Sequence, residues 1–94
     1  MHASVRKYKF DVKNAAEIDR KVKDLFVPLI KKTPGFISYY WMHTGDGTGV
    51  SMSVFKDQGG AEESVRLAGE FVKKNLAGMV SKPEIVEGQV MANS

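Results

Sequence analysis

The sequence predicts one α+β domain over residues 1–94, of the ferredoxin-like β-α-β-β-α-β class, with a four-stranded antiparallel sheet and both helices on one face. Three observations carry this. Four stretches read as strands, three of them by their side-chain parity, and two stretches repeat apolar residues at helical spacing. Breakers separate them in that order: Thr33-Pro34-Gly35, Gly45-Asp46-Gly47 and Asp57-Gln58-Gly59-Gly60.

Ala3 to Val12 reads as the first strand, with Arg6, Tyr8 and Phe10 on one face and Val5, Lys7 and Lys9 on the other. The next stretch, NAAEIDRKVKDLFVPLIKKTPG, reads as a helix. Asn14 followed by Glu17 fits a capping box. Ala15, Ile18, Val22, Leu25, Phe26, Leu29 and Ile30 form one apolar stripe. Lys31 and Lys32 fall in the last turn, where cations suit the helix dipole. Pro28 removes a backbone donor there and predicts a kink.

Phe36 to Thr44 is the second strand. Strict alternation places Phe36, Tyr40 and Met42 on one face and Ile37, Tyr39 and Trp41 on the other. Gly45-Asp46-Gly47 is a hairpin signal rather than a phosphate cradle, because a strand and not a helix follows it. Gly49 to Lys56 is the third strand, with Val50, Met52 and Val54 opposite Ser51, Ser53 and Phe55. Ala61 to about Gly78 is the second helix, with the stripe Leu67, Ala68, Phe71, Val72, Leu76 and Met79. Glu84 to Met91, after Pro83, is the fourth strand.

Two helices cover one face of such a sheet, yet large apolar residues stand on both faces of the second strand. An aromatic side chain buries roughly 150–250 Å². At about 25 cal/mol per Å², leaving two or three of them in water forfeits several kcal/mol. A second copy packed sheet against sheet, as a twofold homodimer, is therefore expected on the open face.

The net charge of +3 comes from scattered basic residues, which argues only weakly for nucleic acid, and no nucleic-acid partner is expected. The absence of cysteine excludes disulfides, thiolate catalysis and Cys-ligated metals. With His2 and His43 far apart, no metal site is expected. No apolar run is long enough for a signal peptide or a membrane span, so no membrane partner and a cytoplasmic location are expected.

The segments VPLIKKTPGF, YY, GDG and SVFKDQGGAEES, in this order, resemble the antibiotic biosynthesis monooxygenase-like group of the dimeric α+β barrel superfamily, over nearly the whole chain. The resemblance implies a homodimer with a small-molecule pocket between sheet and helices in each subunit. It also implies oxygen chemistry without a cofactor, because an electron-rich phenol can itself pass an electron to O2. Haem degraders of the group use an Asn on strand one, and a Trp and a His on helix two. Aligned to this chain, those positions hold Arg6, Ser64 and Lys74, or Asn75 with a one-residue slip, so haem degradation is not expected.

The candidate catalytic residues are Arg6, His43 and Asn75. The candidate substrate-binding residues are Tyr8, Tyr40, Trp41, Phe55 and Ser64. Arg6 and Tyr8 share the face that the resemblance turns toward the pocket. Arg6 suits a carboxylate, a phenolate or superoxide, or else an ion pair with Glu84 or Glu87. His43 suits a general base for a phenol, or a solvent-facing position beside the hairpin. Ser64 and Asn75 lie on the apolar stripe of helix two and need partners there: a ligand, a water or a backbone carbonyl. Tyr40, Trp41 and Phe55 suit stacking on an aromatic ligand, or plain core packing. The reading that follows is a cofactor-independent monooxygenase acting on a small aromatic or polyphenolic substrate with O2. The alternatives are a non-catalytic small-ligand-binding or stress-response homodimer, and a small isomerase or decarboxylase on the same scaffold.

Overall fold

The computed structural model describes residues 1–94. Its strands are β1 (His2–Lys9), β2 (Phe36–His43), β3 (Thr48–Phe55) and β4 (Glu84–Gln89), and its helical segments are α1 (Ala15–Lys21), α2 (Val27–Ile30) and α3 (Gln58–Asn75). The strands form one antiparallel sheet in the order β2-β3-β1-β4. The α1–α2 region links β1 to β2 across β3, and α3 links β3 to β4 across β1, which gives the ferredoxin-like fold predicted from the element order.

The first helix departs from its sequence reading at both ends. Asn14 makes no side-chain cap. Asp11 does, accepting from the backbone N–H of Lys13 and opening a short 3-10 turn over Val12–Asn14. Glu17 pairs with Arg20 instead of closing a capping box. Between α1 and α2 the chain runs as a π-helix over Val22–Phe26, and the N–H of Val27 reaches back five residues to the carbonyl of Val22. The widened turn sits immediately before Pro28, which has no N–H to give. Widening also explains which residues are buried. Ile18, Val22, Phe26 and Ile30 recur every four residues and stay in register on the sheet, whereas Leu25 and Leu29 rotate out and are exposed.

Helix α3 begins three residues earlier than its apolar stripe suggests. The carboxylate of Asp57 accepts from the N–H of Gly60 at 3.0 Å and caps it. The buried residues of α3 are Gly60, Ala61, Ser64, Ala68 and Phe71. Of these, Ala61, Ala68 and Phe71 join the row Ile18, Val22, Phe26 and Ile30, with Phe55 and Leu76, in the core.

Gly47 closes the β2–β3 hairpin with φ +94°, and a Cβ there would lie 2.5 Å from the carbonyl oxygen of Phe10. In β2, a register shift between Phe36 and Ser38 overturns strict alternation at the start of the strand. Phe36 turns inward, where its ring meets Phe55 edge-on, and joins the face of Tyr39 and Trp41 rather than that of Tyr40 and Met42.

The outer face of the sheet carries no helix. Register places Val86, Val5, Met52 and Tyr40 in one row across all four strands. Val86 is 67% exposed, Tyr40 64%, Met42 57% and Met52 41%. Every residue of β4 is exposed.

Candidate functional site

The inner face of the sheet is polar where a core would be apolar. Ser4, Arg6 and Tyr8 of β1 and Gly49, Ser51 and Ser53 of β3 point toward the helices, with Tyr39 and Trp41 of β2 beside them. Arg6 is 1% exposed. Its Nη1 donates to Ser4 Oγ at 3.3 Å and its Nη2 to Ser53 Oγ at 3.0 Å. No carboxylate reaches it. Glu84 and Glu87, the partners considered from sequence, stand on the exposed strand β4 and form no ion pair. Arg6 Nε and Ser51 Oγ are buried and make no hydrogen bond of normal geometry, although the Tyr39 hydroxyl lies near enough to feel both residues and the Tyr8 hydroxyl to feel Arg6.

A cation this deep without an anion costs several kcal/mol of desolvation that two neutral hydroxyls return only in part. The two unpartnered atoms belong to residues that line one small cavity, walled also by Tyr8, Tyr39, Trp41 and the Phe26 and Phe71 rings. The free space is about 20 Å³. That is room for about one water-sized group.

Burial pushes the phenols of Tyr8 and Tyr39 up, and the nearby charge of Arg6 pulls both the other way. Both therefore stay protonated as hydrogen-bond donors. The folded-state value lies above the unfolded one, so the contribution is constant below about pH 10 and is lost as pH rises beyond it. The thermal midpoint should fall between about pH 10 and 11.5. The fall should be shallower in Tyr39→Phe, as read by circular dichroism. An identical slope in the two proteins would contradict the burial of this phenol.

The remaining candidates are dispersed. Trp41 lines the cavity. Tyr40 points to the outer face of the sheet, away from it. Phe55 is fully buried in the core against Phe36 and the backbone of Gly60, outside the cavity lining. The Ser64 hydroxyl donates to the carbonyl of Ala61 at 2.6 Å, and the Asn75 amide to that of Phe71 at 3.2 Å. Of the partners open to these two residues, each has taken the backbone carbonyl. No group of three or more His, Asp or Glu comes together in a metal-holding cluster.

His43 is neither in the cavity nor free in solvent. Its Nε2 lies 2.9 Å from Asp19 Oδ2, while Asp19 Oδ1 accepts from Trp41 Nε1 at 2.8 Å. Asp19 belongs to α1 and escaped the sequence reading, because 22 and 24 residues separate it from the two side chains it binds. No local pattern encodes that meeting. The Trp41 ring reaches across to the backbone of β3 at Gly49, where a Cβ would meet Trp41 Cη2 at 2.3 Å.

Comparison with known proteins places this geometry in context. No protein-family profile and no curated protein matches the chain. Solved structures do. A protein of unknown function from Nitrosomonas europaea, NE2512, superposes with a TM-score of 0.83 at 18% identity, covering 99% of this chain and 91% of its own. The monooxygenase ActVA-Orf6 of Streptomyces coelicolor, solved with nanaomycin D, gives 0.78 at 13% identity, over 99% and 89%. SnoaB of Streptomyces nogalater, a cofactor-independent oxygenase, gives 0.68 at 12%, over 98% and 94%. At these identities the likeness establishes the fold, which is that of antibiotic biosynthesis monooxygenase-like structures.

Proposed function

We propose, for a chain with the antibiotic biosynthesis monooxygenase-like fold, that it is a cofactor-independent monooxygenase oxidising a small phenolic substrate with O2. One observation carries the reading: a buried guanidinium with no counter-ion, on a residue that lines a cavity of oxygen-atom size. Arg6 stabilises negative oxygen, whether phenolate or superoxide, as it forms. Tyr8, Tyr39 and Ser51 are neutral partners beside it, so the site favours an anion over a cation.

The chemistry balances with O2 as sole oxidant. The phenol loses its proton, and the phenolate gives one electron to O2, leaving a substrate radical and superoxide. These combine through a new C–O bond to a protonated peroxide. Loss of the C–H proton then breaks the O–O bond, giving a carbonyl and water. Two of the solved structures of this fold are called a monooxygenase and a cofactor-independent oxygenase, which supports the class of reaction. The test is oxygen uptake with a panel of hydroquinones and anthrones. Native protein should consume O2 and Arg6→Ala should not. No uptake by the native protein defeats the reading for that panel.

A second reading is a ligand-binding homodimer without catalysis. It is favoured by the absence of any carboxylate or imidazole from the cavity lining. A thermal shift with anthrones and no oxygen uptake would select it.

Either reading includes a twofold dimer through the outer sheet face, since the row Val86–Val5–Met52–Tyr40 is apolar and uncovered. Met52→Lys places a cation at the middle of that row. It should convert a dimer to a monomer in light scattering. A native protein that is monomeric at micromolar concentration would exclude this interface.

A further inference from the structure

The cavity at Arg6 has about 20 Å³ of room, too little for an aromatic ring. Beside it, between α1 and β2, lies an open groove of about 530 Å³ lined by Asp19, Lys23, Val27, Trp41, Met42 and His43 among others. Only the second lies in the range of roughly 300–1,000 Å³ that small-molecule sites occupy. Val22, Tyr39 and Trp41 line both spaces, so the two meet at one wall.

We propose that this groove, and not the inner cavity, holds the body of a planar phenolic substrate, with His43 as its base and Asp19 as the residue that positions both His43 and Trp41. The inference rests on the oxygenase reading for its substrate class and on geometry for its place. The Trp41 and Tyr39 rings supply aromatic surface, and Val22, Val27 and Met42 supply apolar flanks. Lys23 borders the groove and forms no ion pair, so it is free to receive the charge of a phenolate. With Nε2–H donating to Asp19, the neutral His43 ring keeps Nδ1 as its open acceptor. The remaining oxygen of Asp19 holds the indole N–H and fixes the wall. The reactive edge of the substrate then abuts the wall behind which Arg6 stands. This arrangement supplies the base that the inner cavity lacks.

The experiment uses 2-naphthol, a planar phenol that reports binding without oxygen consumption. Titrated into the native protein up to about 1 mM, it should move the amide signals of Asp19, Lys23, Val27, Met42 and His43, together with the single indole N–H signal, saturably. Movement centred instead on Ala68, Phe71 and Leu76 overturns the placement, as does no saturable change at all. Val27→Trp fills the groove and should weaken binding by about tenfold or more, while retention within about twofold overturns the proposal. If that variant does not fold, the map on the native protein still decides. Nitrogen shifts of the His43 ring should show the Nε2–H tautomer essentially alone in the native protein and a mixture with a measurable Nδ1–H fraction in Asp19→Ala. A native ring without preference removes His43 as the base and Asp19 as its positioner. Saturable movement at the groove without oxygen uptake by any phenol keeps the site and defeats only the oxygenase reading.

Discussion

Replacing Arg6 by Met should make the protein harder to unfold and suppress its oxygen uptake with phenols. The guanidinium is buried with no acid partner, and Met occupies similar volume with no charge to desolvate. Buried ionic groups exchanged for apolar ones of like size are often neutral to stabilising, by about 1–4 kcal/mol. Against this stand the hydroxyls of Ser4 and Ser53, which lose donors from Arg6. Each loss costs about 1 kcal/mol unless the hydroxyl donates elsewhere. A net gain of about 1 kcal/mol corresponds to roughly 4–8 °C in a domain of this size. Oxygen uptake with a phenol should drop by at least about 30-fold, the loss of one charge-assisted contact of about 2 kcal/mol to the superoxide that forms. Arg6→Lys should not restore it, because an ammonium cannot reproduce the planar guanidinium. Calorimetry reads the first effect and oxygen uptake the second. A lower melting point with unchanged uptake would mean that Arg6 is a structural residue.

Gly49→Ala should destabilise the fold and release Trp41. The new methyl would lie 2.3 Å from Trp41 Cη2, 2.8 Å from Cζ2 and 2.9 Å from Phe10 Cε1. Relief requires the indole to lift, which breaks its bond to Asp19 and opens the packing of Trp41 against Tyr8 and Phe10. Overpacking of this kind costs about 1–3 kcal/mol, and the lost hydrogen bond about 1 more. The midpoint should fall by roughly 10–25 °C. Emission from the only tryptophan should shift to the red. Unchanged emission would show that the ring does not rest on this glycine. Trp41→Phe should fluoresce only through tyrosine and tolerate Gly49→Ala better than the native protein does, which ties the cost to the indole.

Much of the architecture was readable in the chain because it is encoded locally. Spacing of apolar residues, Gly45-Asp46-Gly47 and the basic ends of the helices each act within a few residues. The misreadings arose where a local rule met a competitor. Asp11 took the cap assigned to Asn14, and Asp57 started α3 early. The widened turn before Pro28 rotated Leu25 and Leu29 to the surface, and a bulge reversed the facing of Phe36.

The site divides the same way. Arg6, Tyr8 and Trp41 come together through strand parity and register, so alternation alone could nominate them. The standing of Arg6 as an unpaired ion could not be read, because Glu84 and Glu87 were equally available in the sequence. Nor could the bridge from Asp19 to Trp41 and His43, which depends on how α1 settles over β2. By itself the amino-acid order determined the four strands, the two helical regions and their order, since each is stabilised by residues close in the chain. Only the tertiary structure decided which charges are paired, which glycine carries a ring and where open space remains. Those depend on distances between segments that no spacing along the chain records.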